Sequence, residues 1–262
     1  MIGRSDAQAI EIFHLLFLQV LTAHSRDKFL LKGGANLRYF FGSVRYSNDI
    51  DFDVMDTRSG SVERNVDAVL NGRALSVLLG QFDLRVDEST KPKQTDTTRR
   101  WKLGVAREGA TGDLVRTKIE FSNRGVASDD RLYETIPRLV VDPYAIRPAV
   151  LSHYGLAAAL EQKIAALVLR SETKARDVFD LDLLFRLRRT SDRPRAVDVT
   201  RAPLAAQRAR EITYSSFRSE VVPFLDPDIA SLYDSDEQWE NMRTTVSDEI
   251  VALGDRARGA GA

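Results

Sequence analysis

The run Asp49-Ile50-Asp51-Phe52-Asp53 constrains this chain more than any other segment. Side chains of a strand alternate between its faces, so Asp49, Asp51 and Asp53 fall on one face and Ile50, Phe52 and Val54 on the other. The apolar face goes to the core, and the opposite face gathers three carboxylates. At roughly 6–7 Å and an effective dielectric near 20, each neighbouring pair repels by about 2–3 kcal/mol, which calls for a compensating cation. Lys32-Gly33-Gly34 precedes this run, and a glycine pair lets backbone approach a phosphate closely. Paired carboxylates on a rigid strand behind such a turn suit Mg²⁺, two ions in this reading, and a nucleoside triphosphate.

The 262 residues suffice for a sizeable core and an enzyme-sized unit of two subdomains. There is no cysteine, which excludes disulfides, thiolate zinc sites and cysteine nucleophiles. His14, His24 and His153 are widely separated and read as packing or surface residues rather than a metal site. The longest apolar stretch, Ile10 to Leu21, is interrupted by Glu11, His14 and Gln19, and Met1–Asp6 lacks the features of a leader. A soluble, cytoplasmic protein with no membrane partner is expected.

Net charge is zero but unevenly spread. Between Leu184 and Arg210 eight arginines (186, 188, 189, 193, 195, 201, 208, 210) face Asp192 and Asp198, whereas beyond Ser219 ten acids face three arginines. This is either a polyanion site or two helices that neutralise each other.

Ser5 and Gln8 form a capping box, and apolar residues then recur at helical spacing to about Ala23. A strand over 28–31, a short helix over 35–41 and the carboxylate strand 49–54 follow. Val62–Leu79 reads as one helix, Phe82–Val86 as a strand, and Ser89–Thr98 as a polar loop. Trp101–Ala106 and Leu114–Ser122 read as strands joined by the turn Glu108–Asp113, with Val115, Thr117, Ile119 and Phe121 on the buried face. Trp101, flanked by Arg99, Arg100 and Lys102, either faces the core or stacks a base. Pro137, Pro143 and Pro148 mark an irregular stretch, so the boundary is placed after residue 145: an α/β core over 1–145 and a helical subdomain over 146–262.

Strand, Gly-Gly, short helix and Asp-x-Asp strand is the layout of the DNA polymerase beta-like nucleotidyltransferase fold. With its flanks, Lys32-Gly33-Gly34-x-x-Leu37-Arg38 and Arg45-x-Ser47-x-Asp49-Ile50-Asp51-Phe52 resemble the AbiEii toxins and their mycobacterial relatives, the MenT toxins. Glu161-x-Lys163-Ile164-x-Ala166-Leu167, Arg170 and Arg176-Asp177-x-x-Asp180-Leu181 are similar to that family's later segments.

The resemblance implies an α/β fold with a mixed sheet and a toxin that transfers a nucleoside monophosphate from an NTP to an acceptor, in some members the 3′ end of tRNA. It implies that Asp49 and Asp51 hold Mg²⁺, that Gly33, Gly34 and Ser47 meet the triphosphate, and that Lys163 holds the phosphates while Asp177 and Asp180 orient it. Glu120, on a neighbouring strand, is the candidate third metal carboxylate, with Lys118 as the competing match. Asp53 reads as a solvated strand end. The family also implies a cognate antitoxin and a role in phage defence or growth arrest, with segment 186–210 gripping an RNA backbone. A protein or small-molecule acceptor, or an NTP-binding module without chemistry, are the competing readings.

Overall fold

Helix α1 (Asp6–Ser25) starts at the expected capping box: the Gln8 amide donates to Ser5 Oγ at 3.2 Å and the Ser5 amide to Gln8 Oε1 at 3.1 Å. It buries Ile12, Phe13, Leu15, Leu16, Phe17 and Leu18 together, as a helix apolar on nearly every side must. Three polar side chains are buried on this helix, Glu11, His14 and Thr22, the last donating to the Leu18 carbonyl at 2.8 Å. Glu11 accepts from Arg38 at 2.6 Å and from the Tyr144 hydroxyl at 2.7 Å, and His14 Nε2 bonds Thr117 Oγ1 at 2.8 Å.

The computed structural model describes residues 5–25, 28–55, 59–108, 113–123, 125, 131–188 and 200–259. It divides into a first unit, Met1–Gly42 with Tyr46–Tyr154, and a second, Ser43–Arg45 with Gly155–Ala262. In the first unit, β1 (Phe29–Lys32), β2 (Asp49–Val54), β3 (Leu84–Gln94), β4 (Thr98–Arg107), β5 (Leu114–Ser122), β6 (Arg131–Thr135) and β7 (Val150–Tyr154) form one mixed sheet. Its order is β3-β4-β5-β2-β1-β7-β6. β2 runs antiparallel to β1 and parallel to β5, and β1 runs parallel to β7. Helix α2 (Gly33–Phe40) joins β1 to the segment before β2, and α1, α3 (Ser59–Leu70) and α4 (Arg73–Gly80) pack with the sheet over the core that holds Phe52, Phe121, Ile119 and Trp101.

Three expectations change. The helix over 62–79 is two helices, because Gly72 is extended (φ −81°, ψ 144°) and a Cβ there would lie 2.5 Å from the Ala68 carbonyl. The loop over 89–98 is mostly strand: β3 is a sheet edge whose exposed polar residues, with Pro92 at a register shift, disguise it as a loop while protecting it from further pairing. The first unit runs to Tyr154 rather than 145, because β7 pairs with β1 and its Ser152 and His153 break the apolar strand pattern although both are buried. Trp101 takes the first of its two readings and faces the core, fully buried, with Nε1 donating to Asp67 at 3.0 Å. Residues 109–112 of the expected turn and the start of the irregular stretch, 126–130, lie outside the described residues.

The second unit contains α6 (Leu156–Leu169), α7 (Ala175–Leu187), α8 (Ala202–Glu211), α9 (Tyr214–Glu220), α10 (Pro227–Tyr233) and α11 (Asp236–Gly259), the short α5 (Arg138–Val141) belonging to the first. Ala202, Ala205, Ala206 and Ala209 give α8 a buried face of small side chains; a Cβ on Gly254 of α11 would lie 2.9 Å from the Ala202 Cβ, which marks how closely the helices approach. Among the described residues, part of the uneven charge of the sequence is paired internally. Arg188 reaches Glu249 at 3.4 Å, Arg210 reaches Asp248 at 2.5 Å, and Arg186 pairs with Asp182 at 3.0 Å. Arg208 donates to the carbonyls of Leu167, Val168 and Arg170 at 2.9–3.0 Å, closing the end of α6. Arg189, Arg193 and Arg195 lie outside the described residues. No helix among the described residues is long and apolar enough to cross a membrane.

Burial pushes the His14 pKa down from 6.5 to about 3. The unfolded chain then takes up a proton that the folded protein refuses, so stability falls as pH drops below 6.5 towards 3. Between pH 7 and pH 5 this one group should remove about 2 kcal/mol. Urea unfolding of wild type and His14→Gln checks this: the pH-dependent difference between them is the expected signature.

Candidate active site

β2 meets the requirements placed on it. Ile50 and Phe52 are buried in the core, and Asp49 and Asp51 stand half-buried on the other face. Pairing in register sets the neighbours: Lys32 of β1 opposes Asp51 on one side and Glu120 of β5 opposes it on the other, while Lys118 opposes Asp49. Directly opposed residues share a face, so cations and anions interleave across the strands. Lys118 Nζ lies 3.2 Å from Asp49, 3.9 Å from Asp51 and 3.7 Å from Glu120. Glu120 also accepts from Arg100 Nε at 2.7 Å.

Burial, then the charges of Asp49 and Glu120, push the Asp51 carboxyl above its usual range, against the pull of Lys118 and Lys32. Burial alone would lower the Lys118 pKa, but the surrounding carboxylates, Asp51 first, raise it and keep the ammonium charged. Glu120 is held below the usual range by Arg100 and Lys118 despite its burial.

The glycine pair opens α2. Gly33 sits at φ +70°, the left-handed region, and a Cβ there would stand 3.1 Å from Asp51 Oδ2. Glycine is thus required for conformation and for access to the carboxylate. Lys32 caps α2 without a side-chain bond to its amides, and the first turn has no acid. The first-turn amides therefore remain donors for an anion. Ser47 Oγ donates to the Asp49 carbonyl at 2.7 Å and braces the turn into β2.

Asp53 departs from expectation. It is buried rather than solvated, 2.5 Å from Lys32 Nζ and 2.6 Å from the Tyr154 hydroxyl. The signal was the lysine before the glycines; Tyr154, remote in sequence, carried none. His153, also buried, stacks on Phe40 at 3.6 Å between ring centroids, a packing residue as expected.

Two hard carboxylates beside a positive-φ glycine suit a divalent ion of the Mg²⁺ type, which takes few protein ligands and completes its shell with water and phosphate. Among the described residues no group of three acidic, histidine or cysteine side chains is gathered for an ion. Glu120 stands beside Asp51, but with its carboxylate engaged by Arg100 and Lys118.

In the second unit the residues singled out by sequence come together. Lys163 Nζ lies 3.0 Å from Asp177 and 2.6 Å from Asp180, and Arg170 lies 2.6 Å from Asp177. Arg45, which holds a motif position but was assigned no role, grips Asp180 through Nη2, at 3.0 Å to Oδ1 and 2.9 Å to Oδ2. Both aspartates are fully buried. Burial opposes the charge of Asp180, but Arg45 and Lys163 more than compensate and hold its carboxyl below the usual range. Removing one member of such a buried network leaves the others charged and unpaired.

Two outcomes follow. Asp180→Ala should destabilise the protein by about 3–5 kcal/mol in urea unfolding. Asp51→Asn should do the reverse. An acid whose folded pKa is raised carries a stability cost at every pH above that pKa, and asparagine removes it. Its Tm at pH 7 without divalent ions should rise by about 2 °C, equivalent to roughly 0.5–1 kcal/mol.

The fold is found in solved proteins. Two Helicobacter pylori structures superpose with TM-scores of 0.63: one classed among the nucleotidyltransferases, at 18% identity, covering 95% of this chain and 97% of that one, and JHP933, at 16% identity, covering 98% and 97%. MenT4, a nucleotidyltransferase toxin from Mycobacterium tuberculosis H37Rv, superposes with a TM-score of 0.58 at 18% identity, covering 97% of this chain and 90% of that one. No curated protein matches the chain. At these identities the superpositions establish a nucleotidyltransferase fold of the α/β class. The family profile for the nucleotidyl transferase AbiEii toxin of type IV toxin–antitoxin systems matches residues 15–252, and with nearly the whole sequence accounted for in this way the chain belongs to the AbiEii family.

Proposed function

We propose that this protein is a toxin that transfers a nucleoside monophosphate from an NTP to an acceptor hydroxyl, with the 3′ end of tRNA as acceptor and arrested translation as the result. The observation that carries this reading is the same-face pair Asp49 and Asp51 beside the open amides of α2, a divalent-cation and a phosphate site side by side.

Asp49 and Asp51 would hold Mg²⁺, which when bound neutralises triphosphate charge and acts as a Lewis acid. The Gly33 and Gly34 amides donate to phosphate oxygens, and Lys118 offsets the repulsion between the two aspartates. The acceptor oxygen attacks the α-phosphorus in line; the new O–P bond forms as the α–β bridge breaks, pyrophosphate leaves, and the hydroxyl proton passes to solvent. The family resemblance assigns Lys163 to the phosphates with Asp177 and Asp180 orienting it. That role suits a cluster in which Lys163, Arg45 and Arg170 outnumber two carboxylates.

An RNA acceptor is supported by the sheet face itself. Lys102 opposes Lys118, Arg100 opposes Glu120, and Arg116 follows on β5 on the same face, with Lys102 and Arg116 exposed. Arg100 and Arg116 of this tract are paired with Glu120 and Glu88, just as Arg186, Arg188, Arg208 and Arg210 of segment 186–210 are engaged within the second unit, so the exposed Lys102 is the residue it offers an RNA backbone. The toxin–antitoxin family implies an antitoxin partner, and the reading places both in the cytoplasm.

Purified protein, Mg²⁺ and each labelled NTP incubated with total tRNA should label the tRNA 3′ end. Asp49→Ala should lower labelling by about a hundredfold or more, and EDTA should abolish it. Lys102→Glu should weaken tRNA binding and flatten its salt dependence. Label appearing on protein or a small molecule, with tRNA unlabelled, would move the acceptor to that class; tight NTP binding without pyrophosphate release would leave a binding module.

A further inference from the structure

Lys32 stands where a cation is least comfortable. It is the N-cap of α2, at the positive end of the helix dipole, in a helix whose first turn has no acid. Its counter-ion is not on the helix but on β2. Nζ lies 2.5 Å from Asp53 Oδ1, and the other oxygen of that carboxylate accepts from the Tyr154 hydroxyl at 2.6 Å. Tyr154 thereby fixes the rotation of Asp53, and Asp53 fixes the ammonium. Among the described residues Asp53 is the one hydrogen-bond partner of Lys32, so two of its three N–H groups are left to donate. The side chain keeps 23% of its surface open, beside the α2 amides and directly across the ladder from Asp51.

We infer that Lys32 is a phosphate-contacting residue of the nucleotide site, with Asp53 and Tyr154 as the positioning residues that hold its ammonium there. This rests on the nucleotidyl-transfer reading for its context. The charges of Asp51 and Glu120 also act on Lys32, so what it offers a ligand is not surplus charge but donors in place: its two free N–H groups beside the α2 amides, which a polyphosphate carried by a divalent ion at Asp51 would meet. Lys32 therefore contributes to recognition of the phosphate chain whatever the base.

Calorimetric titration of the full-length protein with inorganic tripolyphosphate in Mg²⁺, and with orthophosphate as control, tests this without the transfer reaction. Lys32→Met should weaken tripolyphosphate binding about tenfold or more, since a lost charged hydrogen bond removes at least that factor. Lys32→Arg should restore it to within about threefold, a donor and charge being regained. Tyr154→Phe, which removes the hydrogen bond that orients the Asp53 carboxylate, should raise the NTP KM about threefold with kcat within about twofold. Equal tripolyphosphate affinity in wild type and Lys32→Met, or no measurable binding by wild type, overturns the inference. So does a lowered Tm in Lys32→Met with unchanged affinity, the mark of a purely structural ion pair. An unchanged KM in Tyr154→Phe removes the positioning role. Wild-type protein that binds tripolyphosphate through Lys32 yet transfers nothing from any NTP would instead sink the transfer reading and leave this one standing.

Discussion

Two negative charges held on one face of a strand whose other face is buried cannot move apart, and the structure around them answers that constraint. Ile50 and Phe52 lock β2 into the core, so Asp49 and Asp51 must share the opposite face. Their repulsion is moderated by Lys118 from β5 and Lys32 from β1, one on each neighbouring strand. Compensation is incomplete, because Asp51 still has a raised pKa, with burial as the leading cause. A site that retains unfavourable charge in its own fold is ready for a cation. Stability given up at Asp51 is the physical form of that readiness.

The second unit solves the opposite problem. There Asp177 and Asp180 lie wholly inside, and only the matching cations Lys163, Arg170 and Arg45 make that burial tolerable. Arg45 reaches this cluster from the segment just before β2 in the sequence, and with Ser43 it belongs to the second unit although the chain on either side belongs to the first. Activity lost on changing Asp180 would therefore not by itself speak for the proposed phosphate role of this cluster, and a stability measurement must separate it from unfolding. Asp49 and Asp51 are freer of that ambiguity, because they remain partly open.

Much of this was legible in the sequence, and the exceptions have physical reasons. Strand alternation placed Asp49 and Asp51 correctly because the period of two is rigid, and β5 was legible for the same reason. The start of β3 was read as a strand, but its continuation over 89–94 was missed because an edge strand exposed to water needs no apolar alternation. β7 was missed because its Ser152 and His153 are polar residues that are nevertheless buried, His153 being satisfied by Asn36 far away in the chain. Asp53 was misjudged because its partners, Lys32 and Tyr154, meet it only through sheet pairing that no local pattern reveals. The arginine block left two alternatives open in the sequence, and α11 was needed to show that its Arg188 and Arg210 are paired.

Everything here depends on a divalent ion binding at Asp49 and Asp51. The most direct measurement is a Mn²⁺ titration followed by electron paramagnetic resonance, on wild type and on a variant carrying Asp49→Asn with Asp51→Asn, without nucleotide and then with it. The account predicts that wild type removes the free-ion signal in proportion to protein, more tightly with NTP, and that the double variant leaves it nearly untouched. Equal Mn²⁺ uptake by both proteins, with the variant folded, would contradict it.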